Sequence, residues 1–497
     1  MFFSRKKQPI PKPEKWSLDQ PLLNLSGPRG DPWTLADAYE GTLIMGATGS
    51  GKSSGSGRTL ALAFLEAGFG GMVLTAKKDE RQQWEWYCAE AGRSHDLMIF
   101  GPNNGYRYNF LDHELNRKGE GAGLTENLVN LFSTVLEVAE RQSGSGGRED
   151  EGYWRRSNRQ LSRSAIDLLI QAQGTISIPE LYKIIVTAPR SPGEAKSEAW
   201  MQNSFCFQCL LKADQRPKSP RQRIDYEICA DYFLLEFASL SDKTRSVIVS
   251  TFTSMIDVLN RGLLRELFCT ETNFTPELVE DGKILLIDLA VKEYSEVGLL
   301  AQTLMKYSLQ RSIERRNLAE NRRPVFLWAD EAQYFVTSYD MQFQTTARSS
   351  RVATVFLTQN LSNFYAALGV GDKGKAEADS LLANLNSKIF HANGDPITNE
   401  WASSLIGRTR QFFVNAGNNY DPGDRVMQML GMHQRSSTSA GLSESYEFEV
   451  QPSEFTTLRK GGAVNQGHVD SILFQGGRRF ESTGRTWLPV TFVQKKP

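Results

Sequence analysis

The sequence predicts an α/β fold in which a nucleotide-binding domain with a parallel central sheet is interrupted by an inserted all-α domain. Three observations predict it. A glycine-rich loop lies between an apolar run and a helical pattern at residues 41–65. A second apolar run, at residues 324–329, ends in two acidic residues, and residues 125–240 between the two show mainly helical periodicity. Apolar strands that alternate with helices are typical of parallel sheets with helices on both faces.

The glycine-rich loop fits the phosphate-binding pattern G-x-x-x-x-G-K-[S/T] without a mismatch. Glycines allow successive backbone N–H groups to curl around phosphate oxygens, and the following helix adds its positive N-terminal end. We expect Lys52 to reach the outer phosphates and the Ser53 hydroxyl to bind Mg²⁺. The strand–loop–helix frame argues against a Gly/Ser-rich linker, so the chain is predicted to bind a nucleoside triphosphate. The predicted nucleotide-binding residues are Gly46, Ala47, Thr48, Gly49, Ser50, Gly51, Lys52, Ser53 and Ser54.

The apolar run at residues 324–329 ends in Asp330 and Glu331, which is the form of a Walker B segment. Such a strand delivers its first carboxylate to the Mg²⁺ shell, and the second can polarise the attacking water as a general base. The run is a weak signal alone, because strands often end in an acidic turn. Together with a complete phosphate loop it predicts ATP hydrolysis with Mg²⁺, with Lys52 and Glu331 as catalytic residues.

The remaining periodicity divides the chain into a nucleotide-binding domain in two parts and a helical insertion. Residues 434–445 are Ser-rich and predict an exposed or pore-facing loop, and residues 143–147 predict a mobile loop between two helices. A long amphipathic helix is predicted near residues 296–316. Further strands are predicted at residues 71–75, 98–100, 283–289 and 354–358, with short closing strands in residues 464–492. The predicted parts are an N-terminal arm at 1–37, the nucleotide-binding domain at 38–124 and 241–497, and the all-α insertion at 125–240.

Three polar residues near strand 354–358 are candidates for the nucleotide site. Gln359 at its tip could sense the γ-phosphate or position water, although an isolated glutamine there is commonly a polar turn residue. Upstream of the strand stand Arg348 and Arg351. Either arginine could stabilise transition-state charge on a neighbouring subunit's nucleotide, or be a solvated surface residue.

The charge balance excludes a global basic field of the kind that draws proteins onto nucleic acid, since 57 Lys+Arg face 57 Asp+Glu. A nucleic-acid site must therefore be a local stripe or the lining of a pore. Arg155, Arg156, Arg159 and Arg163 form one such cluster, which fits a DNA-facing surface and a solvated helix face equally.

Cysteine usage and hydropathy are those of a cytoplasmic protein. Five scattered cysteines are too few for a disulfide framework, which suits a reducing compartment. Cys206 and Cys209 form a C-x-x-C pair without a second pair of ligands nearby, so we interpret them as partly buried cysteines rather than a zinc or redox site. No run approaches the ~20 apolar residues of a transmembrane helix, and the N-terminus lacks the apolar core of a signal peptide.

The order of these elements resembles that of the type IV coupling proteins, which are TraG/TraD-like conjugation ATPases of the FtsK–HerA group. Residues 108–112 are similar to the family's Asn-Pro-Leu-Asp turn, with Phe110 in place of proline. Residues 152–154 resemble its aromatic-Trp helix start, and residues 241–256 its Ser/Thr-rich returning helix. The resemblance covers about residues 38–480, and only the two Walker segments are highly specific.

Two features depart from the family. Coupling proteins generally carry an N-terminal membrane segment, and this chain shows none. The resemblance then implies a soluble member, a member that relies on a membrane partner, or a chain from which the anchor was removed. The family's Asp-x-Lys-Gly-Glu after the second strand corresponds here to Thr75-Ala76-Lys77-Lys78-Asp79.

The resemblance implies a RecA-like P-loop fold and a homo-hexameric ring with ATP at the subunit interfaces. It implies Arg348 as the trans-acting arginine, because Arg348 precedes Gln359 by 359 − 348 = 11 residues, as in the family. The implied partners are single-stranded DNA, relaxosome proteins and type IV secretion channel components. The implied location is the cytoplasm, peripheral at the inner face of the bacterial membrane through a partner.

Three functions are compatible with these motifs. The first is an ATP-driven DNA translocase that couples a DNA substrate to a type IV secretion channel in conjugation. The second is a secretion ATPase of the same fold that recruits protein substrates. The third is a duplex-DNA motor of the HerA/FtsK type in repair or phage defence. Stimulation of the ATPase by single-stranded DNA favours the first, stimulation by duplex favours the third, and indifference to nucleic acid favours the second.

Overall fold

The computed structural model describes residues 15–27, 30–142, 151–369, 371–419 and 437–495. The strands are β1 (Pro21–Asn24), β2 (Pro32–Thr34), β3 (Thr42–Met45), β4 (Gly70–Leu74), β5 (Leu97–Phe100), β6 (Ile284–Ile287), β7 (Val325–Ala329), β8 (Val352–Thr358), β9 (Ser387–Phe390), β10 (Arg408–Asn419), β11 (Ser437–Phe448), β12 (His468–Gln475) and β13 (Trp487–Val493). The helices are α1 (Leu35–Tyr39), α2 (Arg58–Glu66), α3 (Asp79–Glu90), α4 (Phe110–Asn116), α5 (Thr125–Gln142), α6 (Glu151–Gln173), α7 (Ile178–Val186), α8 (Glu198–Asn203), α9 (Phe205–Gln215), α10 (Pro220–Asp231), α11 (Asp242–Asp257), α12 (Gly262–Phe268), α13 (Val291–Arg315), α14 (Ser338–Ala347), α15 (Leu361–Leu368), α16 (Asp372–Asn384), α17 (Pro396–Ile406) and α18 (Glu454–Thr457).

A nine-stranded sheet forms the centre of the molecule, in the order β13-β12-β9-β3-β8-β7-β4-β6-β5. All neighbours from β9 to β5 are parallel, whereas β12 and β13 are antiparallel and lie at one edge. The predicted strands of the nucleotide-binding domain are therefore present, and the strands expected in residues 464–492 do close the sheet.

The parallel strands are apolar because both faces of the sheet are covered. Every residue of β3, β4, β6, β7 and β8 is buried. Successive side chains of β3 enter different cores: Leu43 and Met45 pack on one face and Ile44 on the other. This is the pattern of parallel sheets with helices on both sides.

The segment predicted as the insertion contains helices α5 to α10 and no strand in its described residues. Its buried side chains, such as Leu161 and Leu181, belong to the same apolar cluster as Leu43 of the sheet. Helix α11, with Ser241 as its N-cap, leads the chain back towards the sheet at the position of the predicted Ser/Thr-rich helix. The loop predicted at residues 143–147 lies outside the described residues.

Helix α13 is not amphipathic, and this part of the prediction is wrong. All residues from 300 to 310 are buried, including the polar Gln302 and Lys306. This part of the helix lies between the sheet and helix α5, so it has no solvent face, whereas residues 292–296 at the start of the helix are exposed. The Lys306 ammonium pairs with Asp340 and donates to the Phe335 carbonyl at 2.7 Å, which compensates the burial of its charge.

The Ser-rich segment 434–445 is not a loop over its described part, which is a second correction. Strand β11 pairs antiparallel with β10 over twelve residues, from Arg408↔Phe448 to Asn419↔Ser437. The two strands form a separate two-stranded sheet. Backbone hydrogen bonds between β10 and β11 form this sheet without a buried face. The sequence of β11 therefore does not alternate between apolar and polar residues as a half-buried strand does. Residues 434–436 lie outside the described part.

The segment before the phosphate loop packs on the sheet domain. Strands β1 and β2 pair with each other, and Trp33 and Leu35 are buried in the core beside α2. Thr34 caps α1 in a reciprocal capping box with Asp37. Among the described helices, none combines the length with the apolar character that a bilayer crossing requires.

Candidate nucleotide site

The sheet brings the predicted site residues other than Arg348 to its carboxyl edge, where the parallel strands end. Strand β8 lies between β3 and β7 and is parallel to both. At their carboxyl ends, β3 leads directly into the phosphate loop, β8 into Gln359 and β7 into the Asp330-Glu331 pair. Ligands of open parallel sheets bind outside this edge.

The phosphate loop has the backbone that its glycines predict. Gly49 and Gly51 have φ of +73° and +87°, where residues with a Cβ are strained. Gly51 also lies against Val469, and a Cβ there would come within 2.7 Å of the valine methyl carbons. The amides of Gly49, Gly51 and Lys52 donate no hydrogen bond to the described residues. They are therefore available to phosphate oxygens, as is the positive end of the helix that begins with the turn Ser53–Gly57.

The donor set for Mg²⁺ is assembled between the phosphate loop and β7. The Ser53 hydroxyl donates to Asp330 Oδ2 at 2.6 Å, across 277 residues of sequence. A hydroxyl and a carboxylate are the hard oxygen ligands that Mg²⁺ prefers. Both residues therefore fit the metal role predicted for them.

Glu331 lies 3 % exposed beside this pair, in a left-handed backbone conformation with φ of 50°. Its Oε1 accepts hydrogen bonds from Gln359 Nε2 at 3.0 Å and from Lys77 Nζ at 3.3 Å. Its Oε2 accepts one from Gln333 Nε2 at 3.0 Å. Burial acts to raise the pKa of Glu331, but the amides of Gln333 and Gln359 and the charges of Lys52 and Lys77 outweigh it and hold the pKa below its ordinary value.

Gln359 connects the phosphate loop to Glu331. Its Oε1 accepts a hydrogen bond from the Thr48 hydroxyl at 3.2 Å, while its Nε2 donates to Glu331. Its carbonyl oxygen accepts from Asn393 Nδ2 at 3.0 Å, which fixes the backbone after β8. The structure therefore brings together Thr48, Ser53, Asp330, Glu331 and Gln359 as the sequence predicts.

Lys77 is a site residue that the sequence reasoning missed. The only signal was the family's lysine in the turn after the second strand, in a segment otherwise altered in this chain. Burial acts to lower the pKa of Lys77, but the carboxylates of Asp330 and Glu331 offset it and raise the pKa above its ordinary value. The ammonium therefore stays charged beside the two acids.

Gln494 contacts the phosphate loop, and His391 contacts the helical turn that follows it; no sequence motif indicates either of them. His391 Nδ1 lies 3.0 Å from the Asp470 carbonyl, which can only accept, so Nε2 accepts the hydrogen bond from the Ser56 hydroxyl at 2.7 Å. Burial lowers the pKa of His391 to about 4, so the ring is neutral at pH 7. Gln494 Nε2 donates to the hydroxyl of Ser54, one of the predicted nucleotide-binding residues, at 2.8 Å.

Arg348 does not approach the chain's own phosphate loop. It follows α14 and precedes the amino end of β8, while the loop contacts the carboxyl end of β8 through Gly46 N–H to the Thr358 carbonyl at 3.3 Å. Seven residues of strand separate the two ends by about 20 Å. The Arg348 side chain is 64 % exposed and pairs with Glu40 at 3.0 Å.

Arg351 has a structural role instead. Its Nη1 donates to the carbonyl oxygens of Trp16 at 3.0 Å and of Arg322 at 3.4 Å. These bonds fix the segment before β1 to the loop before β7. Of the two candidate arginines, only Arg348 presents its guanidinium largely to solvent.

The basic cluster of α6 is partly neutralised. Arg159 and Arg163 both pair with Glu126 of α5, the former at 3.2 Å. Arg156 is exposed, and the side chain of Arg155 is not among those described. Cys206 and Cys209 are fully rather than partly buried, and the described residues contain no group of three or more His, Cys, Asp or Glu side chains that could hold a metal ion.

Comparisons with known proteins agree with this fold. Residues 324–447 match the family model described as the TraM recognition site of TraD and TraG. No curated protein sequence matches the chain significantly. Among solved structures, the bacterial conjugative coupling protein TrwBdeltaN70 in an unbound form is similar with a TM-score of 0.58 and 16 % identity, over 97 % of this chain and 91 % of that chain. The plasmid coupling protein TrwB in complex with ADP and Mg²⁺ gives 0.59 and 16 % over 94 % and 88 %, and its complex with the GTP analogue GDPNP gives 0.58 and 16 % over 97 % and 92 %.

The chain therefore has the predicted α/β fold, a RecA-like P-loop domain with a largely parallel central sheet. More particularly, this is the fold of the conjugative coupling proteins, and a quarter of the chain, around the Walker B strand, matches the TraD and TraG model. The predicted resemblance to the type IV coupling proteins is confirmed.

Proposed function

We propose that the chain is a type IV coupling protein, an ATPase that moves DNA towards a type IV secretion channel. The observation that carries the proposal is the contact between Ser53 and Asp330 at 2.6 Å. It unites the phosphate loop and the Walker B segment, with Glu331 and Gln359 beside them. The complexes of TrwB with ADP and Mg²⁺ and with nucleotide analogues support a nucleotide at this position.

Each residue then has a role that follows from its place. Lys52, 7 % exposed in the loop, neutralises the outer phosphates, and the free amides of Gly49 and Gly51 bind phosphate oxygens. Ser53 and Asp330 hold Mg²⁺, which supplies charge neutralisation for the departing phosphate. Glu331 accepts the proton of the attacking water, and Gln359 orients that water from the tip of β8.

The active assembly is a homo-hexameric ring. A complete site needs a cation for the charge that develops on the transferred phosphoryl group. The chain's own Arg348 lies at the opposite edge of the sheet and is exposed, so it can serve only the nucleotide of a neighbouring copy. A closed ring gives every site the arginine of the next subunit.

The partners in this proposal are DNA, relaxosome proteins and the secretion channel. The match of residues 324–447 to a TraM recognition site supports a relaxosome contact in this region. The balanced charge of the chain favours DNA bound in the lining of the ring over an exposed basic face. We place the protein in the cytoplasm, at the inner face of the membrane through a partner.

The test combines ATP turnover with particle images of the full chain. We expect single-stranded DNA to stimulate turnover and a non-hydrolysable ATP analogue with DNA to give closed rings with DNA in the centre. Stimulation by duplex alone would instead support a HerA/FtsK-type motor, and turnover indifferent to nucleic acid a secretion ATPase for proteins. A stable monomer without turnover would overturn the proposal. The Lys52→Ala variant is the control, because it retains the fold but loses the phosphate cation.

A further inference from the structure

The turn between β4 and α3 is held rigidly at both ends. Gln302 of α13 accepts from the Thr75 amide at 2.6 Å and donates to the Thr75 carbonyl at 2.8 Å. Glu80 accepts hydrogen bonds from the amides of Ala76 at 3.0 Å and Lys77 at 3.2 Å. The turn is therefore an ordered platform, and the side chain that it directs at the site is that of Lys77.

Lys77 takes part in a set of three donors that surround the Glu331 carboxylate. Its ammonium and the Gln359 amide both donate to Oε1, at 3.3 and 3.0 Å, and Gln333 donates to Oε2 at 3.0 Å. The Glu331 side chain is only 5 % exposed, whereas that of Lys77 is 34 % exposed. The base is thus enclosed, and the lysine that contacts it borders solvent.

The three donors around the Glu331 carboxylate oppose its action as a general base. A carboxylate has about four lone-pair positions for donors, and here three are used. The attacking water must donate to the same carboxylate, and an ammonium at Oε1 both occupies a position and attracts the electrons that would receive the proton. The observed arrangement is therefore a resting one with respect to hydrolysis.

We propose that Lys77 is a positioning residue that restrains Glu331 and so limits ATP hydrolysis until the Lys77 side chain turns away from the carboxylate. Release requires only a rotation of the Lys77 side chain on the fixed turn, since part of that side chain already faces solvent. DNA engagement by the ring is the event expected to favour this rotation. This inference rests on the proposed ATPase function and adds its regulation.

The test measures steady-state ATP turnover of the full chain with and without single-stranded DNA. Lys77→Met removes the ammonium and keeps the length of the side chain. Lys77→Arg keeps the cation, and Lys78→Met is the matched control, because Lys78 is exposed and makes no ion pair with the described residues. Thermal unfolding of each variant checks that the fold is retained.

We expect Lys77→Met to raise turnover without DNA about two- to fivefold, the change expected for loss of one partly exposed ion pair. Turnover with DNA should stay at the wild-type value, so the stimulation factor falls by the same ratio. Lys77→Arg and Lys78→Met should both match the wild type. Turnover of Lys77→Met at or below the wild-type value, in a protein that unfolds normally, would overturn the inference. Absence of turnover in the wild type would instead overturn the proposed function.

Discussion

The two edges of the central sheet present charged residues in opposite ways. At the carboxyl edge, Lys77 contacts Glu331 and Ser53 contacts Asp330, each within 3.3 Å, and the acids are buried. At the amino edge, Arg348 is 64 % exposed, and its ion pair with Glu40 costs little to break. The charged residues of the carboxyl edge are therefore held by contacts within the chain, whereas Arg348 at the amino edge presents its guanidinium largely to solvent.

This difference supports the proposal that the site is shared between subunits. The carboxyl edge has the groups proposed to bind phosphate and activate water, while Arg348, the proposed cation for transition-state charge, lies about 20 Å away along β8. Two copies placed edge to edge would supply both halves. Arg351, three residues beyond Arg348, differs from it, because the Arg351 guanidinium donates a hydrogen bond to the Trp16 carbonyl within the fold.

Among the variants of the two edges, removal of Arg348 should have the largest effect. Arg348→Ala should lower ATP turnover of the assembled protein about 1000-fold or more, as for other trans-acting arginines, with unchanged thermal unfolding. Steady-state turnover measures the effect. Glu40→Gln is the control, since it breaks the ion pair and leaves the arginine in place, and its turnover should remain near the wild-type value. Substantial turnover in Arg348→Ala would remove the arginine from the site.

The carboxyl edge is tested by Glu331→Gln. The amide cannot accept a proton from water, so we expect turnover to fall about 100- to 10,000-fold. Binding of a non-hydrolysable ATP analogue, followed by calorimetry, should be retained because Ser53, Asp330 and the phosphate loop are unchanged. Near-normal hydrolysis in this variant would show that another group activates the water.

His391 makes the stability of the carboxyl edge dependent on pH. Its pKa is about 4 in the folded chain, below the unfolded value of 6.5, so the unfolded state binds the proton first as pH falls. Its contribution is complete above pH 6.5 and is lost between 6.5 and 4, amounting to about 2 kcal/mol between pH 7.5 and 5. Urea unfolding at both pH values should show this loss in the wild type and a loss smaller by about that amount in His391→Gln. An equal loss in both proteins would contradict a buried neutral histidine.

The smallest effect concerns Arg351. Arg351→Asn tolerates the left-handed backbone at φ of 54° but loses the hydrogen bonds to Trp16 and Arg322. We expect a loss of about 1–2 kcal/mol in the free energy of unfolding, measured with urea, and unchanged turnover per folded molecule. A large loss of turnover with normal stability would reverse the roles of the two arginines.

The local sequence was sufficient to predict the site residues that lie in or directly after a recognisable strand. The phosphate loop and the Asp330-Glu331 strand are of this kind, because their chemistry needs fixed spacing. Lys77 and His391 contact partners 254 and 335 residues away, and no local pattern encodes such contacts. Helix α13 was wrongly predicted to be amphipathic because the polar residues Gln302 and Lys306 suggest a solvent face. In the structure both are buried and form hydrogen bonds to buried partners.

The hairpin of β10 and β11 was missed for a related reason. Its Ser-rich strand is held by backbone pairing with β10 and faces solvent at residues such as Leu442, 70 % exposed. Strand periodicity reports a buried face, and this strand has little of one. The family resemblance supplied what local patterns could not, namely the interpretation of Arg348 as a residue that acts on another subunit.

Subunit mixing tests the shared site most directly. Lys52→Ala subunits keep Arg348, and Arg348→Ala subunits keep the phosphate-loop lysine, so each variant alone should be inactive. In a randomly mixed ring made from equal amounts, about one quarter of the interfaces combine an intact loop with an intact arginine. We predict that mixing the two inactive proteins restores ATP turnover to roughly that fraction of the wild-type value. A mixture as inactive as its components would contradict a site completed by the neighbouring subunit.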